Sequence, residues 1–336
     1  MLKKTLFLFP LLFVALTILS FTTEKRKAVK TIIIDPGHGG ADQGAAGTFT
    51  TEAQLTLAMS KKLGELVRKE LPDVNVLFTR TADIFPGNSP TKRDGDRYRA
   101  DFANKSGADL FISIHCNSSG RTPGGWYEKR IVGYDEKETF TGKGKKKKKK
   151  MVKVPIHESF FVPNAAKGTE TFIWTAKENS HKGQMVSERH QHGEFGDDDS
   201  AMLENDPVIN ALKLVYTKKY FFKSLKLAEL VQQEFTKAGR TNRGVKQRNE
   251  KGIWVLHATG MPSILIEAGF ITNKEEEEYM NSEAGQEEVA QNILSAIRLY
   301  INEVDSPKKG PENETIGTPG SVAALLNTSR KKNLLS

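Results

Sequence analysis

The chain has a single cysteine, Cys116, in 336 residues, which excludes any intramolecular disulfide. A core of this size does not need covalent staples, so one cysteine remains compatible with an oxidising compartment. Cys116 adjoins His115, but neighbours at a strand end point to opposite faces, and it reads as a small packing residue rather than a thiol nucleophile. Long hydrophobic runs are also missing, apart from Leu6 to Leu19. That stretch is short for a membrane span, contains Pro10, follows Lys3 and Lys4, and ends before Glu24-Lys25-Arg26-Lys27. Residues 1–23 therefore read as an export signal peptide, with a retained N-terminal anchor as the alternative. No cysteine lies near its end, which argues against lipid attachment there. Net charge is missing too. The formal +9 falls to about zero once the two leader lysines and the seven of Lys143 and Lys145 to Lys150 are set aside. A neutral, exported body excludes nucleic acid as the natural partner, and a lysine run of this kind reads as a solvated, disordered loop or a contact for acidic envelope polymers. There is no internal repeat.

With 38% hydrophobic and 27% charged residues, the body supports one large globular domain or two small ones. Strands are expected at Thr31 to Ile34, Val74 to Phe78, Leu110 to Ile114, Thr169 to Trp174, Ile253 to Leu256 and Ile264 to Ile266. Helices are expected from Thr51, where Gln54 completes a capping box and Leu55, Met59, Leu63 and Leu66 form a stripe, and over 97–105, 207–237 and 284–300. The alternation implies an α/β fold: a single three-layer domain over 30–303 with a central, largely parallel sheet between helices. Residues 120–166 read as an irregular insertion carrying the lysine run, and 304–336 as a disordered tail.

Three ionisable residues follow strand ends: His38 in Asp35-Pro36-Gly37-His38-Gly39-Gly40, His115, and Glu267. Parallel strands place their C-termini along one edge, where α/β enzymes bind ligands. Each residue alone fits a structural or solvated role, and Glu52 is explained by the dipole of the helix it opens. Taken together, two histidines and two carboxylates at one edge suit a hydrolytic Zn2+ site. Two imidazoles and a carboxylate hold the ion, and a second carboxylate moves protons. No local H-E-x-x-H motif singles out the metal.

These segments are similar to the zinc-dependent amidase-3 family of N-acetylmuramoyl-L-alanine amidases. The resemblance is carried by Ile33 to Gly40, Glu52, Phe111 to Asn117 and Pro262 to Asn273. Thr79 to Asp83, Arg99, Gly168 to Phe172 and Arg243 to Gln247 extend it. It implies one Zn2+ per chain held by His38, Glu52 and His115, with Glu267 as general base and acid and Arg243 near the substrate. The implied reaction cuts peptidoglycan between N-acetylmuramic acid and L-alanine, in a periplasmic enzyme of wall turnover and daughter-cell separation. Cell-division members carry an inserted regulatory helix that a partner with an inactive LytM-type domain displaces. Residues 175–222 occupy that place here, with Glu188, then Glu194, as the candidate inhibitory carboxylate, or else a solvated polar insertion; His190 and His192 read as exposed. A zinc peptidase acting within the stem peptide, a non-catalytic wall-binding protein and an anchored scaffold are the competing readings.

Overall fold

A computed structural model describes residues 29–142, 144, 147–194, 207–250 and 252–305. The expected signal peptide and the tail beyond 305 lie outside the described residues. Among those residues no helix is long and apolar enough to cross a membrane.

In chain order the elements are β1 (Thr31–Pro36), α1 (Glu52–Glu70), β2 (Asn75–Phe78), α2 (Lys92–Lys105), β3 (Leu110–Asn117), β4 (Gly125–Thr141) and β5 (Lys148–Pro163). There follow β6 (Thr169–Ile173), α3 (Asn179–Glu194), α4 (Pro207–Lys237), β7 (Asn242–Gln247), α5 (Trp254–His257), β8 (Ser263–Phe270), α6 (Lys274–Asn281) and α7 (Glu283–Asp305). Six strands form one sheet in the order β2-β1-β3-β8-β6-β7, with β4 and β5 forming a separate ribbon. Every neighbouring pair of the large sheet is parallel except β6 and β8.

Both sheet faces are covered, which is why the central strands are apolar throughout rather than alternating with polar residues. Ile32, Ile34, Ile112, Ile114, Ile264 and Ile266 pack on one side with Leu55, Met59 and Leu63 of α1, Leu227 and Val231 of α4, and Ile293 and Ile297 of α7. Ile33, Phe111, Leu265 and Phe172 face the opposite way, onto Ala103 of α2, Trp174, and Val255 and Leu256 of α5. Full burial of each such side chain contributes about 1.5–3 kcal/mol, so the three layers hold one another in place.

Helix α1 follows its sequence signals. Gln54 Oε1 accepts from the Thr51 N–H at 3.2 Å, the expected stripe is buried, and the helix stops two residues before Pro72. Helix α2 starts five residues earlier than expected because Thr91 caps it, accepting from the Asp94 N–H at 3.2 Å.

Two expectations fail. Ile253 to Leu256 is no strand: Trp254–His257 is a single helical turn that presses Leu256 into the core. Residues 120–166 are not irregular, and Lys148 to Lys150 are not in a loop. β4 and β5 pair antiparallel from Gly125↔Pro163 to Thr141↔Lys148, with a bulge between Ile131 and Gly133. The ribbon is exposed on both faces, so it has no buried-against-exposed alternation to read.

Candidate active site

The loop after β1 carries His38 in a left-handed conformation, φ 59°, which costs a non-glycine residue of order 1 kcal/mol or more. Two buried arginines hold it there. Arg80 donates to the carbonyls of Pro36 (3.1 Å) and Gly37 (2.6 Å), and Arg99 to those of Pro36 (2.8 Å) and His38 (2.7 Å). Arg99 also pairs with the buried Asp35, whose carboxylate accepts from Ser113 Oγ at 2.7 Å. His38 Nδ1 is fixed by Asp42 Oδ2 at 2.9 Å, and Lys92 in turn lies 2.7 Å from Asp42. This leaves His38 Nε2 aimed into the site, the arrangement by which outer partners orient a metal-ligating imidazole.

Glu52, first residue of α1, lies between the imidazoles. Its Oε2 is 3.0 Å from His38 Nε2 and its Oε1 is 2.8 Å from His115 Nδ1. The N–H groups of Ala45 (2.9 Å) and Cys116 (3.1 Å) donate to the same carboxylate. Two glycines make room for the cluster. A Cβ on Gly37 would come within 2.5 Å of His115 Cε1. One on Gly44 would lie 2.6 Å from both Glu52 Oε2 and His38 Cδ2.

The structure therefore brings His38, Glu52 and His115 together, with one ligand atom from each within 4.8 Å of the others. Among the described residues this is the group of histidine, cysteine and acidic side chains so placed. Two imidazoles and one carboxylate are the donor set of an open, hydrolytic zinc site, and they fit that ion. Burial opposes ionisation of Glu52, but the hydrogen bonds to His115 and His38 outweigh it and hold its carboxyl well below the usual range. Burial lowers the pKa of His38, but Glu52 and then Asp42 more than restore it, and it ends above its ordinary value. Cys116 is buried with its thiol pushed up, first by burial and then by nearby carboxylates, which agrees with a packing role.

Glu267 stands one strand over from these groups. It is the register partner of His115 across β3 and β8 and of Glu170 across β6 and β8. Its Oε2 is buried and without a hydrogen-bond partner, and the residue lines a cavity of about 430 Å3. His38, Glu52, His115, Arg248 and Trp254 also line that cavity. Burial, and then the charges of Glu52 and Glu170, push Glu267 up to about 8.

The shift of Glu267 gives a stability prediction. In the metal-free protein the folded state keeps a proton on Glu267 that the unfolded chain releases from about pH 4.5. The stability contributed by this group is complete below that pH and is lost as pH rises towards about 8. Metal-free Glu267→Gln cannot ionise there. It is expected to be more stable than the metal-free parent near pH 8.5, by a few kcal/mol in order of magnitude, and so to melt at a higher temperature there, and to melt at the same temperature near pH 4. Thermal melts followed by circular dichroism at the two pH values measure this; coincident melts at the higher pH contradict it.

Four positions acquire a place that sequence reasoning did not assign. Asp42 orients His38, and its spacing of four residues within one loop is the available signal. Arg80 and Arg99 clamp the His38 loop. Glu170 meets Glu267 from the beginning of a strand, not from its end, because β6 runs antiparallel to β8. Burial would raise its pKa, but Lys246 (2.7 Å) and Arg243 (2.5 Å) hold it below the ordinary value. Arg243 does not line the cavity; it stacks over Phe270 at 4.8 Å and meets the site through Glu170.

Glu188 falls on the helix α3, but its side chain, like those of Glu194, His190 and His192, lies outside the described residues. The described start of α3 is firmly held. Lys182 is wholly buried and donates to the carbonyls of Leu256 (2.8 Å) and Met261 (2.8 Å) and to Ser263 Oγ (3.0 Å), with its ammonium 4.4 Å from the Trp174 ring centre. None of the described residues of 175–222 lines the cavity.

The family model described as N-acetylmuramoyl-L-alanine amidase matches residues 32–298, and the chain belongs to this Amidase_3 family. It is 28% identical over 273 residues to the N-acetylmuramoyl-L-alanine amidase AmiC of Escherichia coli, covering 80% of this chain and 52% of that protein. It is 25% identical over 287 residues to AmiA of Salmonella typhimurium, covering 85% and 81%. The chain thus spans about half the length of the AmiC relative. Among solved structures, the CwlD amidase from Clostridioides difficile in complex with the GerS lipoprotein shares the fold. Its TM-score is 0.50 at 23% identity, covering 82% of this chain and 99% of that one.

Proposed function

We propose that the protein is an exported, zinc-dependent peptidoglycan hydrolase. It cleaves the amide between the lactyl group of N-acetylmuramic acid and L-alanine, in wall turnover and daughter-cell separation. The observation that carries the reading is the meeting of His38, Glu52 and His115 beside Glu267, a buried carboxylate that lines the same cavity and has one oxygen without a hydrogen-bond partner. His38, His115 and Glu52 are the residues that would hold the ion, two imidazoles and one carboxylate. When bound, the ion supplies Lewis acidity at the amide carbonyl and the attacking water, and favours the ionised form of Glu267. Glu267 takes the proton of that water and returns it to the departing nitrogen, so one group serves as base and then acid. Asp42 keeps His38 in the tautomer with Nε2 free to bind. Glu170, paired with Arg243 and Lys246, lies on the side of Glu267 away from His115. We read Arg243, the most exposed of this trio, as a contact for stem-peptide carboxylates.

Digestion of purified sacculi tests the assignment. The expected products are free stem peptides beginning with L-alanine and glycan bearing lactyl carboxylates. Fragments of the stem that begin at another residue would identify a peptidase instead, and intact sacculi a non-catalytic binder.

We also propose that residues 175–222 restrain the site and that Glu188 is the restraining carboxylate. An activator with an inactive LytM-type domain would then be the partner that moves it. The support is the place of the segment in the family pattern and the anchoring of its start by Lys182. Replacing residues 187–206 by a short Gly-Ser linker is expected to raise basal hydrolysis about tenfold or more. That rise corresponds to removal of an inhibitory contact of at least about 1.4 kcal/mol. An unchanged rate in the folded deletion contradicts the restraint.

A further inference from the structure

The β4–β5 ribbon is absorbed by neither the fold nor the catalytic reading. Its strands are each other's chief neighbours, and it is tied to the body at its root. There Gly124 N donates to Thr272 O at 2.9 Å and Asn164 Nδ2 to Ser119 Oγ at 2.8 Å. Two strands alone are marginal in water, and soluble proteins rarely expose a contiguous apolar surface without a use for it. Here Ile131, Val132, Tyr134, Phe140, Met151 and Ile156 are each about half exposed. The register divides such residues between the faces. Tyr134↔Pro155, Glu138↔Met151 and Phe140↔Lys149 share one face; Gly133↔Ile156, Asp135↔Val154 and Lys137↔Val152 share the other.

Charge is concentrated at the tip. From Thr139 to His157 the sequence has eight lysines and no acid. The described ones, Lys147 to Lys150 and Lys153, are all exposed, Lys149 also meeting Glu138 at 2.9 Å. Like the apolar residues, they lie on both faces: Lys148 and Lys150 on one, Lys149 and Lys153 on the other.

We propose that this ribbon docks the protein on an anionic lipid bilayer, with the lysines among the headgroups and the apolar side chains near the tip in the interfacial region. A single protein groove covers one face of a ribbon and leaves the other wet. A fluid interface surrounds both. A polyanionic glycan would match the lysines but offers no apolar phase for Met151, Val154 and Ile156. A lipid surface answers both features, since polybasic segments are drawn to anionic leaflets and apolar side chains add to that attraction. The root adjoins the end of β3, two residues past His115, and the tip stands about 50 Å away at the usual rise of a strand. A docked tip therefore holds the catalytic edge that far from the membrane, within a polymer layer.

Flotation of the full chain with vesicles tests this without needing hydrolysis, so its failure and that of the amidase reading are separate. The protein is expected to float with vesicles containing phosphatidylglycerol and to stay below with pure phosphatidylcholine. The variant combining Lys147→Gln, Lys148→Gln, Lys149→Gln and Lys150→Gln should bind at least about a hundredfold more weakly. Its hydrolysis of a soluble substrate should be unchanged, which shows it is folded. A Phe140→Trp variant should shift its emission to the blue on anionic vesicles. Absence of flotation, flotation that survives loss of the lysines, or equal flotation with neutral vesicles would overturn the proposal. So would binding without a blue shift that soluble polyphosphate abolishes, since that marks affinity for any polyanion.

Discussion

Glu267→Gln is expected to lower the rate of peptidoglycan hydrolysis by about a thousandfold, within the span that general acid–base groups contribute. Zinc content should stay near one per chain. Glutamine keeps the shape of the side chain and loses only its ability to accept and return a proton. The residue does not belong to the histidine–carboxylate cluster; it stands beside it as the register partner of His115. The expected loss is equivalent to about 4 kcal/mol of transition-state stabilisation. It should appear in kcat rather than in metal binding. Dye release from labelled sacculi, together with metal analysis of the same preparation, separates the two. Activity within tenfold of the parent would remove Glu267 from the mechanism.

Glu52→Gln is expected to fail in the opposite way, through the metal. The parent carboxylate accepts from two backbone N–H groups and faces both imidazoles, all through acceptor oxygens. An amide must turn an NH2 towards one of those N–H groups, leaving two donors face to face. It also removes the negative charge that a dication needs from this ligand set. Affinity for zinc should fall by more than about a hundredfold, beyond the 10–100-fold cost of losing an outer partner such as Asp42. Competition with a chelator of known affinity measures it. Zinc retained at the parent's affinity would show that Glu52 is not a ligand.

Much of the fold and the centre of the site were legible because burial on both faces leaves a strong mark. Ile32 to Ile34, Leu110 to Ile114 and Ile264 to Ile266 are apolar runs of strand length, and His38, His115 and Glu267 follow at or just past their ends. Ile253 to Leu256 is also a short apolar run, and periodicity cannot tell a strand from one buried helical turn. β7 carries Arg243, Gly244 and Lys246, so it lacked a strand's usual composition. The ribbon was hidden for another reason: a bulge shifts its alternation and the lysines replace its β-branched residues near the turn. Glu170 escaped because the rule that gathers ligands at strand C-termini holds for strands running the same way. β6 runs against β8, and its beginning lies where β8 ends.

The reversed β6 also governs how this architecture admits new parts. The chain leaves β3 at the rim of the reaction chamber and enters β6 at that rim, so the link between them never has to travel across a helical layer. Residues can be added to this link without displacing any core side chain, and whatever is added protrudes beside the chamber mouth. In this protein the addition is a long arm. The same port could carry a shorter or differently charged appendage on an unchanged catalytic body, so that the appendage and the cleaving centre are free to change independently.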